Sequence, residues 1–306
     1  MTPTLGSSVR LASAAFRREA WLAAPGLLVA GMRRATSWPA IWAAWALVLR
    51  AAVVAAAQRP LQLSAPLGGA LAMATSSRFL GMVGGLWLVG AATSGALRVA
   101  WVSGALPVLG AAMAGEPRGA RGFGQGLTEG FTRVLPAAVL GFALELSGAL
   151  FALALVLAAA VLAGRGGGFG AALGTSAAAA AALTLALAVP LALSTAADAL
   201  VARSALVREP LAETLLGVTR RFLSRPGGFV LGALLFGALA VAAQLAVQVA
   251  GGLALGFAHG APALATAGPR LMLAVLSALL AGIVDLLWLG TLAAMSCGVS
   301  RSSPVR

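Results

Sequence analysis

Three ionisable residues, Arg50, Glu145 and Asp285, stand deep inside long apolar runs of this 306-residue chain. Such a group at the middle of a membrane-crossing helix costs about 2.5 to 3.5 kcal/mol on insertion scales, so it usually faces the bundle interior and a partner. Counted at about 1.5 Å per residue from the cytoplasmic ends assigned below, Arg50 lies at roughly 15 Å, Glu145 at roughly 17 Å and Asp285 at roughly 18 Å. One arginine and two acids at a common depth suit a buried ion-paired cluster that leaves one carboxylate without a full counter-charge. Its chemistry would be proton uptake or cation binding during transport, with Arg50 as electrostatic partner. The competing reading is a structural pair that sets helix registry while Arg50 snorkels outward. Asp198, at the end of its run, is expected to be interfacial and hydrated. Gln244 and Gln248 share a helix face at i, i+4 and are expected to bond a neighbouring helix, with a polar solute path as the minor alternative.

Enzymatic chemistry finds little material. The single histidine, His259, falls in a connection, and the single cysteine, Cys297, excludes an internal disulfide and a cysteine-based metal cluster. A Ser-His-acid triad beside a cytoplasmic pocket cannot be assembled. An intramembrane enzyme using paired carboxylates is the one exception, and it would require water at Glu145 and Asp285. The run from Arg165 to Gly170 lacks a following Lys-Ser/Thr and reads as a hairpin turn, not a phosphate loop. No cofactor is expected.

The elements that must position these residues are membrane helices. Apolar residues make up 60% of the chain and charged residues 9%, with a mean hydropathy of +0.98; that composition excludes an ordinary water-soluble fold. Six runs are long enough to cross a bilayer: 40–57, 79–97, 134–163, 172–197, 227–250 and 270–296. Their Ala, Gly and Leu richness without period-2 alternation favours helices over barrel strands. All 21 basic residues are arginine, and 16 of them lie on one side if the termini and the second and fourth connections are grouped together. The positive-inside bias therefore puts both termini in the cytoplasm of a bacterial inner membrane. The net charge of +13 is dispersed over helix ends, which points to anionic lipid headgroups and away from nucleic acid. Absence of Lys, Asn and Tyr reflects a GC-rich genome. Trp38, Trp42 and Trp45 fit an interfacial aromatic belt. Arg17 and Arg18 precede an apolar stretch without a convincing cleavage site, so residues 8–34 are expected to stay uncleaved in the interface.

A short pattern occurs three times. Pro25 to Arg34 leads to Pro39, Leu127 to Arg133 leads to Pro136, and Leu211 to Arg221 leads to Pro226, the three closing prolines being 97 and 90 residues apart. Each is an amphipathic stretch with glycine, arginine and proline before a long apolar run. The unit implied is an interfacial helix (8–34, 116–133, 203–225) followed by a transmembrane hairpin, with proline marking the change of direction. Small residues repeat at four-residue spacing at Gly122, Gly126 and Gly130 and at Gly252, Gly256 and Gly260, which allows close helix approach.

The stretch from Asp198 through Arg208 and Glu209 into Leu211 to Pro226, with its parallel from Glu116 to Pro136, resembles the six-helix membrane domain that precedes the catalytic domain in some glycerophosphodiester phosphodiesterases, and stand-alone relatives of that domain. The resemblance implies a six-helix membrane fold. Since the chain stops at Arg306 with no room for a catalytic domain, phosphodiesterase activity is not expected to follow. The expectation is a single all-α polytopic membrane domain over 1–306 with a non-catalytic role in anchoring, scaffolding or lipid organisation. A small transporter or channel is the alternative, and a homo-oligomer or other membrane proteins are compatible partners.

Overall fold

The computed structural model describes residues 4–58, 69–70, 72–73, 76–163, 169–256 and 263–297. Among them the chain is helical without strands: α1 (Leu5–Arg18), a 3-10 turn (Ala20–Leu22), α2 (Ala23–Gln58), α3 (Ser77–Ala114), α4 (Gly119–Ala163), α5 (Phe169–Leu206), α6 (Leu211–Ser224), α7 (Pro226–Gly256) and α8 (Ala263–Cys297). Five stretches are long and apolar enough to cross a membrane, in α3, α4, α5, α7 and α8. The run at 40–57 forms the second half of α2, a continuous helix of 36 residues. His259 and Gly260, and most of the 165–170 turn, lie outside the described residues.

Two of the expected interfacial segments are not separate helices. Pro39 and Pro136 sit inside continuous helices, and only Pro226 opens a new one after the break at Arg225. A proline removes one helical hydrogen bond, and neighbouring helices or local adjustment compensate for it in membrane segments. Residues 116–133 therefore contribute the first turns of α4. In the first segment the break falls earlier, at buried Glu19, whose carboxylate accepts from Trp21 Nε1 and from the Gly119 amide at 3.5 Å. In the third it falls at 207–210, leaving α6 as a free-standing amphipathic helix.

The chain divides into two compact units, Leu27–Arg98 and Met1–Gly26 with Val99–Arg306. In the smaller unit Arg33 Nε donates to Ser94 Oγ at 3.1 Å, tying α2 to α3. Trp42 and Trp45 are exposed there, as an aromatic belt requires.

The core of the larger unit is concentrated at one end. Buried residues crowd into the last turns of α3 (Val99–Met113), α5 (Thr195–Ala205) and α8 (Leu286–Ser296). These three helix ends touch one another: a Cβ on Gly110 would meet Leu206 Cδ2 at 2.7 Å, and one on Gly290 would meet Leu109 Cδ2 at 2.6 Å. Glycine is needed there because the neighbouring side chain already occupies the space. Around this centre α1 packs on α8 (Ala12 beside Gly290), the start of α4 on α3 (Gly126 and Gly130 against Ser103), and α6 on α5 (Gly217 against Arg203).

Candidate functional site

Between α5, α7 and α8 lies a cavity of about 300 Å³ whose lining includes Thr195, Asp198, Phe236, Asp285 and Trp288. Asp198 stands eight residues before the end of α5 and Asp285 twelve before the end of α8, about 12 and 18 Å along their helices. The two acids reach one space because α5 and α8 run together into the buried core. Asp198 is only 7% exposed, and Trp288 Nε1 donates to its Oδ2 at 2.8 Å. The hydration expected for it is thus not met: α5 continues two further turns beyond it, and its carboxylate is buried against protein. Trp288 in turn lies 5.4 Å from the Phe236 ring. Gly232 allows this approach, since a Cβ there would stand 2.9 Å from the indole.

The other candidates are distributed differently. Asp285 is half-buried in the cavity wall. Glu145 is half-buried on α4, between Gly141 packed on Ala197 and Gly148 packed on Pro190 and Leu193. Its level is therefore close to Ser194, yet it is not part of the lining. Arg50 belongs to the smaller unit and is exposed on α2 along with Leu49 and Val53. Gln244 and Gln248 are both exposed on α7, while Val247 and Phe236 are buried. The expected bond from that pair to a neighbouring helix is not made among the described residues, because the apolar face of α7 faces inward.

No protein family, curated protein or solved structure matches the chain.

A second set of polar contacts closes the three helix ends. Arg18 on α1 donates to the Ala112 carbonyl at 3.4 Å, Arg133 on α4 to Ala205 at 2.9 Å, and Arg221 on α6 to Met295 at 3.1 Å. The acceptors lie one or two residues before the ends of α3, α5 and α8. Final carbonyls of a helix lack intrahelical donors and carry partial negative charge, so guanidinium groups stabilise them doubly. Arg203 adds a fourth contact, donating to the Ser296 carbonyl at 2.8 Å while pairing through Nε and Nη2 with Glu209. Burial, followed by nearby Arg203, weakens Arg221's hold on its proton. Near the end of α3 the arginine in this role is Arg18, not the Arg33-Arg34 pair that the sequence pattern singles out.

The acidic cavity can hold a cation. Two carboxylates with aromatic walls attract positive charge, and hydroxyls of Ser194 and Thr195 are at hand. Among the described residues no group of three His, Cys, Asp or Glu side chains suits a metal ion.

Proposed function

We propose that this chain is a non-catalytic polytopic domain of a bacterial inner membrane that gathers anionic lipid at its arginine-rich end. Six spans in three units, each an amphipathic segment with a hairpin, and cytoplasmic termini complete the reading. The observation that carries it is the outward face of α6. Leu216 and Leu223 are 70% and 71% exposed and stand beside exposed Arg220 and Arg225, while Thr214 and Val218 are buried on the inward side. Bare leucine with flanking arginine on one face is what a helix needs at the boundary of headgroups and acyl chains. Each arginine near an anionic surface contributes about 1 kcal/mol. The three arginine contacts to the ends of α3, α5 and α8 support the three-unit reading, because each joins an amphipathic segment to the returning helix of its own hairpin.

The test is lipid retention in nanodiscs of mixed phosphatidylglycerol and phosphatidylcholine. Native protein should enrich phosphatidylglycerol, and the Arg220→Gln/Arg225→Gln variant should lose most of that enrichment at unchanged melting temperature. Equal retention of the two lipids by native protein overturns the proposal. Single-cysteine labelling at Ser224 and at Ser302 from the cytoplasmic side tests the orientation.

A second reading, cation transport, is favoured by the shared cavity of Asp198 and Asp285. Proteoliposome flux that disappears in Asp285→Asn would establish it. No gradient-driven uptake of protons, sodium or small ammonium ions would remove it.

A further inference from the structure

At the arginine-rich end, along the first four turns of α4, a cavity of about 420 Å³ is lined by Arg118, Gln125, Glu129 and Arg133, with Arg208 facing them from beyond the end of α5. Three arginines and one glutamate give it a formal charge of +2. Its floor is glycine: a Cβ on Gly126 would meet the Ser103 carbonyl oxygen at 2.6 Å, so side chains are kept off that wall.

The donors here are not all used. Arg133 gives one Nη2 hydrogen to Ala205, and its Nε is buried with no acceptor among the described residues. Arg208 meets Glu129 at 3.0 Å, and their side chains are 76% and 63% exposed. The neighbouring Arg203 offers a contrast. It holds Glu209 through two nitrogens and the Ser296 carbonyl through a third, at 12% side-chain exposure. One arginine site is thus completed from within the chain, and the other leaves one guanidinium nitrogen without an acceptor among the described residues, holds its carboxylate only at an exposed position, and retains open volume. A guanidinium nitrogen buried without an acceptor is costly, the more so because the group is charged. An anion beside that guanidinium offsets the cost of burying its charge.

We propose that this cavity binds a single phosphate group, with the guanidinium of Arg133 as the inner cation, Arg118 and Arg208 as the outer clamp and Gln125 as a neutral donor. Arginine forks match phosphate oxygens in pairs. Glu129 yields Arg208 to the incoming anion and turns to solvent, which its exposure permits. The group is either a phospholipid headgroup or free phosphate. The headgroup version rests on the lipid-gathering reading above and gives it a one-to-one site.

The experiment is a binding titration of full-length protein in phosphatidylcholine nanodiscs, with inorganic phosphate in one arm and dioctanoyl phosphatidylglycerol in the other. Saturable one-to-one binding in either arm supports the site, and the arm in which it occurs identifies the source. Arg118→Gln/Arg208→Gln should weaken it at least tenfold, and Glu129→Gln should tighten it severalfold. Arg133→Gln removes a helix-end contact as well, so the exposed pair carries the test. Absence of saturation in both arms, or native affinity in Arg118→Gln/Arg208→Gln, overturns the proposal. Loss of lipid enrichment in Arg220→Gln/Arg225→Gln together with no saturable site would leave the lipid reading standing and remove this one. A saturable site without bulk enrichment would do the reverse.

Discussion

At Asp198, on α5, a carboxylate buried in a helix bundle is held by an indole N–H from α8. Trp288→Phe keeps most of the ring and deletes that donor, so the expected cost is about 1 to 3 kcal/mol, since a buried acceptor loses a partner. Thermal unfolding in detergent should report a lower midpoint for Trp288→Phe and little change for the exposed Gln248→Leu. Arg203 offers a second test. Its fork serves Glu209 and Ser296 together, and lysine, whose three donors radiate from one nitrogen, cannot span both acceptors with the same geometry. Arg203→Lys should lose about 1 to 3 kcal/mol, and Arg208→Lys, 76% exposed, well under 1 kcal/mol. Residue identity made Asp285 and Asp198 conspicuous from the outset, because acids are rare in apolar runs. That they line the same cavity was not legible: depth along a helix follows from counting, whereas direction around it depends on which neighbours pack where.

Among the elements, α4 shows how helix approach is set by small residues. Gly126 abuts the Ser103 carbonyl, whereas Gly124, two positions away, faces open space. Gly126→Ala should therefore force α3 and α4 apart at a cost of about 1 to 3 kcal/mol. Gly124→Ala should be neutral or stabilise by up to about 1 kcal/mol through helix propensity. Chemical or thermal unfolding of the two variants side by side reads the difference. Hydropathy made five of the long helices plain from sequence. The helix breaks were not: proline signalled one of three correctly, at Pro226, because the other two depend on whether tertiary contacts compensate the lost hydrogen bond. The break after α1 depends on buried Glu19 accepting from Gly119, a hundred residues away, which no local pattern encodes.

At the scale of the whole molecule, the returning helices α3, α5 and α8 converge and the amphipathic segments surround their ends, α1 resting on α8. A Cβ at Gly290 would lie 3.3 Å from that of Ala12, within reach of the usual separation in a disulfide of about 3.5 to 4.5 Å after small adjustment. With Cys297 replaced by Ser, and Leu109 shortened to Ala to clear the space that a side chain at 290 would enter, Ala12→Cys/Gly290→Cys should cross-link within one chain on oxidation. The product should migrate as a faster monomer on non-reducing gels; a dimer band, or no cross-link, would show that α1 is not seated there. The same seating has a consequence for biosynthesis. A chain emerges from the ribosome N-terminus first, so α1 is made before the helix it packs on by most of the length of the protein. Until α8 arrives, its inward face, Ser8, Ala12 and Ala15, lacks the main surface that it buries against. α1 is therefore complete well before its main partner, and truncation before α8 would leave it without most of its berth.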